Sequence, residues 1–161
     1  MSDFIKSLLR APLLADGACG SYLFQRSGRL SEPNHVYEAL NVSSPGFIRD
    51  MHIAYLQAGA RCLTTNTFGA NSVHLDALGE SGRVTELNLA GVQRAREAID
   101  IFRTQTGSAQ PYFVVGSVGP TEGDDFHPNP AEIYQEQLEV LISAGVDALQ
   151  LETFGSLKQV E

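Results

Sequence analysis

Four short apolar segments recur along the chain, at 12–15, 62–65, 112–115 and 148–151, and each is followed shortly by a polar side chain and a glycine. Short apolar runs bounded by turn residues mark strands buried on both faces of a parallel sheet. Helical patterns lie between them. Ser44 and Pro45 have the character of an N-cap and first helical residue, Ile48, Met51, His52 and Tyr55 share one face, and Gly59 can close the helix. A longer helix is predicted over 84–102 on Leu87, Gly91, Ala95, Ala98, Ile99 and Phe102. A third opens at Asn129-Pro130-Ala131-Glu132 with the spacing of a capping box, carries the stripe Tyr134, Leu138, Leu141 and Ile142, and ends at Gly145. Alternating strands and helices imply right-handed βαβ crossovers and an α/β fold with a parallel sheet.

An internal similarity supports this order. Ala58-Gly59-Ala60 through Asn66-Thr67-Phe68-Gly69 aligns without gaps on Ala144-Gly145-Val146 through Glu152-Thr153-Phe154-Gly155. One further strand segment lies between the two blocks, so they hold the second and fourth strands. In a (βα)8 barrel alternate strands contribute to the same layer of side chains, which puts Asn66 and Glu152 at similar height at the carboxyl-terminal mouth.

The polar groups after each strand segment define the candidate site. Asp16-Gly17-Ala18-Cys19-Gly20-Ser21 follows the first, and its glycines permit a tight turn whose N–H groups converge on an anion. A carboxylate suits such a turn better than a nucleotide phosphate, because no Gly-Lys-Ser/Thr or GxGxxG pattern is present. Asn66 follows the second segment, Ser117 the third, within Gly116-Ser117-Val118-Gly119-Pro120-Thr121, and Glu152 the fourth. Two carboxylates, Asp16 and Glu152, facing a turn that binds a carboxylate would together suit a free α-amino acid. Asp124-Asp125-Phe126-His127 reads as a polar loop near the same mouth.

Composition excludes other classes of function. With 11 Lys and Arg against 19 Asp and Glu, a net charge of −8, the chain has no basic surface for nucleic acid. No apolar run approaches the roughly 20 residues of a membrane span, and the first residues lack the basic and apolar regions of a secretory leader. A cytoplasmic protein that neither spans a membrane nor binds nucleic acid is the expectation. The two cysteines, Cys19 and Cys62, form no CxxC and read as free thiols. His35, His52, His74 and His127 have no HxxxH or HExxH spacing and read as surface or helix-packing residues.

Taken in order, Leu14-Ala15-Asp16-Gly17-Ala18-Cys19-Gly20-Ser21, Tyr55-Leu56-Gln57-Ala58-Gly59-Ala60, Thr65-Asn66-Thr67-Phe68-Gly69-Ala70-Asn71, Gly116-Ser117-Val118-Gly119-Pro120 and Leu151-Glu152-Thr153 resemble the homocysteine S-methyltransferase family. That family shares its homocysteine-binding TIM barrel with betaine–homocysteine methyltransferase and the N-terminal module of cobalamin-dependent methionine synthase. The resemblance implies that homocysteine is held with its sulfur on zinc, and that its thiolate accepts a methyl group to give methionine. It further implies that Asp16 and Glu152 contact the ammonium group, that Gly17, Ala18 and Cys19 lie at the carboxylate site, and that Asn66 orients the substrate at the mouth. S-methylmethionine, betaine and methylcobalamin are all donors within the family; a cobalamin or folate cofactor would enter through other domains.

Cys19 and Ser21 stand where the family pattern has Met and Thr, replacements compatible with a site made of backbone N–H groups. The family's zinc cysteines belong to later strands, so no metal ligand is expected within this segment. A complete barrel of this class runs to about 250 residues. The chain is therefore expected to be its N-terminal half: about four βα units within residues 1–161, stopping before strands five to eight, with 155–161 opening a fourth helix. The exposed edges would be covered by the remainder of the barrel or by a second copy in a homodimer. A non-catalytic amino-acid-binding or self-assembling half barrel is the alternative reading.

Overall fold

The computed structural model describes residues 1–27, 36–121, 130–155 and 160. The polar loop at 124–127, His35, the Asn129 cap and all but Gly155 and Val160 of the helix expected at 155–161 lie outside these residues.

Two helices expected from the spacing of apolar residues are present, α4 at Pro45–Gln57 and α6 at Val84–Thr106, and α7 covers Pro130–Ser143. Pro45 occupies the start of α4, but the Ser44 side chain makes no capping bond; its carbonyl instead accepts the N–H groups of Phe47 and Ile48, at 3.0 and 3.4 Å. Helix α6 runs one turn past the predicted end, to Gly107 at φ 68°, a left-handed conformation natural to glycine. Shorter helices are α1 at Asp3–Arg10, α2 at Cys19–Ser27, α3 at Leu40–Ser43, preceded by a 3-10 turn at Tyr37–Ala39, and α5 at Ser72–Ala77. Helix α1 has no counterpart in the sequence reading; Ser2 caps it and Phe4 packs edge-on to Phe113 with ring centroids 5.3 Å apart.

Three parallel strands form the sheet in chain order, β1 at Cys62–Thr64, β2 at Phe113–Val118 and β3 at Ala148–Leu151. Cys62 pairs with Phe113, and Val115 with Ala148. The expected first strand at 12–15 is reduced to a single parallel bridge between Ala15 and Cys62, with Leu14 O accepting both Arg61 N–H and Cys62 N–H, at 2.7 and 3.1 Å, and Asp16 N–H donating to Cys62 O. The third expected strand runs three residues past the 112–115 segment, to Val118, so Gly116 and Ser117 are ladder residues.

Side-chain alternation sorts β2 into two layers. Val114 and Val118 join Leu56, Leu63, Val92, Ala95, Ile99 and Leu141 in the core beneath α4, α6 and α7. Phe113 and Val115 face the other way, with Cys62, Leu13 and Phe4. The internal similarity is visible at the helix ends. Gly59, at φ 103°, and Gly145, at φ 80°, close α4 and α7 with matching bonds, Gly59 N–H to Leu56 O and Ala60 N–H to Tyr55 O against Gly145 N–H to Ile142 O and Val146 N–H to Leu141 O. The two copies part at the Thr-Phe-Gly turn, where Thr153 adopts φ 64° and Thr67 does not.

Candidate ligand site at the strand ends

The carboxyl ends of the strands open into a cavity of about 460 Å³ lined by Asp16, Gly17, Ala18, Cys19, Gly20, Asn66, Ser117 and Glu152. All six of the substrate-contact candidates read from the sequence thus border one space. Tyr37, Glu38, Thr64, Thr65, Phe68 and Gln150 border it as well and were not singled out. Among the described residues no Lys, Arg or His borders this cavity, whereas three carboxylates do.

Asp16 is fixed by the neighbouring strand. Thr64 donates to it twice, N–H to Oδ2 at 2.8 Å and Oγ1 to Oδ1 at 2.7 Å, and its own N–H bonds Cys62 O at 3.0 Å. Burial pushes its carboxyl from the ordinary 3.8 up to about 6 against the pull of the Thr64 bonds, and the charge of Glu152 adds a smaller push. Across the cavity Ser117 Oγ donates to Glu152 Oε1 at 2.5 Å, and the Glu152 N–H bonds Val118 O at 2.9 Å.

The Asp16–Ser21 segment is organised differently from the expected glycine turn. Helix α2 begins at Cys19, so Gly20 and Ser21 lie in its first turn, and neither Gly17 nor Gly20 has a positive φ. Gly17 is small because the Tyr55 ring closes over it, 2.9 Å from where a Cβ would stand. The Tyr55 hydroxyl in turn donates to Ala18 O at 3.1 Å. A Cβ on Gly20 would meet no atom within 4 Å, leaving the α2 amino terminus open to the cavity.

Asn66 is held by its amide. Its Nδ2 donates to Tyr37 O at 2.8 Å and to Asn41 Oδ1 at 3.0 Å, while Asn41 Nδ2 donates back to Asn66 O at 2.8 Å. These donors and acceptors fix both amide orientations. Glu38, buried at 7% exposure, accepts the Gly69 N–H at 2.7 Å. No periodicity in the sequence marked Glu38, since it lies in a 3-10 turn between helices.

Cys19 does not have the chemistry of a metal ligand here. Its thiol donates to Thr64 O at 3.7 Å, and burial, with the charges of Asp16 and Glu152 adding to it, pushes it up to about 12. Cys62 is buried in the β1 ladder. Among the described residues no three His, Cys, Asp or Glu side chains converge to hold a metal ion, so these residues by themselves offer no zinc site. His52 is buried in α4, and His74 lies on α5. No helix among the described residues is long and apolar enough to cross a membrane.

A parallel α/β sheet with its acidic cavity at the strand ends agrees with the family read from the motifs. The sequence model described as Homocysteine S-methyltransferase matches residues 13–161, and the chain belongs to that family. It is 29% identical over 162 residues to a homocysteine S-methyltransferase of Escherichia coli strain K12, covering 92% of this chain and 52% of that protein. Against methionine synthase of Mycobacterium leprae the identity is 27% over 168 residues, covering 99% of this chain and 14% of that one. The metallated form of the homocysteine methyltransferase MmuM from Escherichia coli superposes with a TM-score of 0.83 at 27% identity, covering 97% of this chain and 59% of the solved one. The chain therefore spans between 14% and 59% of the length of these relatives.

Proposed function

We propose that this chain supplies the homocysteine-recognition portion of a homocysteine S-methyltransferase, built as the first four βα units of a (βα)8 barrel. The observation that carries this reading is the pairing of Asp16 and Glu152 on one cavity whose described lining residues include three carboxylates and no cationic side chain. An α-ammonium group meets opposite charge there, and ionised Asp16 and Glu152 are its partners. The substrate carboxylate goes to the open first turn of α2, where unpaired N–H groups and the positive end of the helix dipole favour an anion. Asn66, its N–H groups spent on Tyr37 and Asn41, turns its carbonyl oxygen to the ligand.

Zinc supplies a thiolate near neutral pH when it binds the thiol; the described residues offer no donor set for it, so that role falls to residues outside them. The methyl donor is likewise chosen elsewhere in the protein. The test is calorimetric titration of L-homocysteine into the protein translated from the complete reading frame. Asp16→Asn and Glu152→Gln should each weaken binding by about tenfold or more, the worth of a charge-assisted contact. Unchanged affinity in both variants would remove the assignment. Tight binding with no methyl transfer from any donor would instead favour a non-catalytic amino-acid-binding protein.

A further inference from the structure

Taking Glu152 as the ammonium contact proposed above, we infer that Thr65 and Thr67 are positioning residues whose hydroxyls clasp Ser117 and, through it, hold Glu152 toward the cavity. Strand β1 ends at Thr64, and the backbone then folds back on itself, Thr67 N–H bonding Thr65 O at 2.9 Å. Those two backbone groups would otherwise continue the ladder with Ser117. The hydroxyls take their place: Ser117 N–H donates to Thr65 Oγ1 at 3.0 Å, and Thr67 Oγ1 donates to Ser117 O at 2.8 Å.

The two hydroxyl oxygens lie 2.6 Å apart. Because the single Thr67 O–H is given to Ser117 O, the proton between them must come from Thr65. The bonds therefore run one way around a closed ring, from Ser117 N–H through Thr65 and Thr67 to Ser117 O. Thr65, Thr67 and Ser117 are exposed by 1%, 0% and 2%, so the ring is buried and each member's polar groups rely on the others for partners. The Ser117 side chain is left free of the ring, and its hydroxyl donates to Glu152 Oε1. The same turn carries Asn66, so one clasp orients polar groups on both sides of the cavity. The equivalent turn after β3 holds Thr153 at φ 64°, so this arrangement is not a generic property of the Thr-Phe-Gly sequence.

The experiment compares affinity for L-homocysteine with affinity for its des-amino analogue, a thiol carboxylate lacking the ammonium group, in the protein from the complete reading frame. Thr67→Val keeps the shape and deletes the hydroxyl; it should lower the preference for homocysteine by about tenfold, while Thr67→Ser restores it. In a Glu152→Gln background the same substitution should change the preference by less than about threefold, because the two act on one contact. Ser117→Ala deletes only the link to Glu152 and provides a second route if Thr67→Val does not fold: it should reduce the preference as Glu152→Gln does. An unchanged preference in Thr67→Val or Ser117→Ala, or equal losses from Thr67→Val in both backgrounds, would overturn the clasp. If Glu152→Gln itself leaves the preference intact, the ammonium assignment fails first and the clasp with it.

Discussion

Asp16 is the residue on which solution pH acts most directly. Its carboxyl is raised in the folded chain from the ordinary 3.8 to about 6 by burial. The protonated form thus stabilises the empty protein fully below the ordinary value, and this contribution is lost as pH rises through about 6. An ammonium ligand requires the ionised form, so binding near pH 6 should release a proton. Homocysteine affinity should fall by about tenfold per pH unit below that value; calorimetry in buffers of different ionisation heat measures both effects, and Asp16→Asn should abolish the proton release. His52 has the opposite sign. Burial pushes it from 6.5 down to about 4, and neither ring nitrogen has a hydrogen-bond partner among the described residues. Its contribution to stability is present above about 6.5 and declines as pH falls toward about 4, because the unfolded chain takes up the proton first. His52→Leu should flatten that decline in urea midpoints taken at several pH values. Asp16, Asn66 and Glu152 were legible as cavity residues because each directly follows a short apolar segment. Glu38 and the Thr65 and Thr67 hydroxyls were not, since what recruits them is a neighbouring backbone group rather than any spacing in the sequence.

At the scale of elements, α6 approaches the mouth of β1 closely enough to exclude even one methyl group. A Cβ on Gly91 would stand 2.6 Å from Thr67 Cγ2 and 2.9 Å from Asn41 Nδ2. Alanine in a helix interior is ordinarily better than glycine by about 1 kcal/mol. Gly91→Ala should instead destabilise the fold by about 1–3 kcal/mol, the typical cost of overpacking. It should weaken homocysteine binding too, because the clash falls on the Asn41–Asn66 pair; chemical denaturation and titration of one variant check both. The apolar stripes of α4 and α6 were readable because their residues are buried, Ile48 and Met51 against Leu23, Leu87 with Leu75 and Val84, and Ala95, Ala98 and Ile99 with Leu56 and Val114. The last turn of α6 is polar, so its end was set by Gly107 and not by the stripe. The 12–15 segment looked like a full strand because of its apolar character, yet Leu14 is 59% exposed and ladder pairing depends on neighbours that sequence alone does not count.

At the scale of the whole molecule, the sheet is covered unevenly. Strand β2 is buried throughout, whereas Leu149 and Leu151 of β3 are exposed by 38% and 44%, and Leu14 at the opposite side by 59%. Exposed apolar strand residues beside unpaired backbone promote association. A polypeptide limited to residues 1–161 should therefore self-associate in light scattering, and Leu149→Lys with Leu151→Lys should reduce its apparent mass. Parallel topology was legible from alternating strands and helices, but the extent of each ladder was not.

The order of the sheet has one more consequence. Every strand lies beside the one that precedes it in the chain, β1 by β2 and β2 by β3. Each crossover can thus close as soon as its second strand has left the ribosome, with no partner awaited from further downstream. The direction of synthesis and the direction of assembly coincide, and Glu152, at the end of the last of these strands, completes the acidic cavity when it arrives.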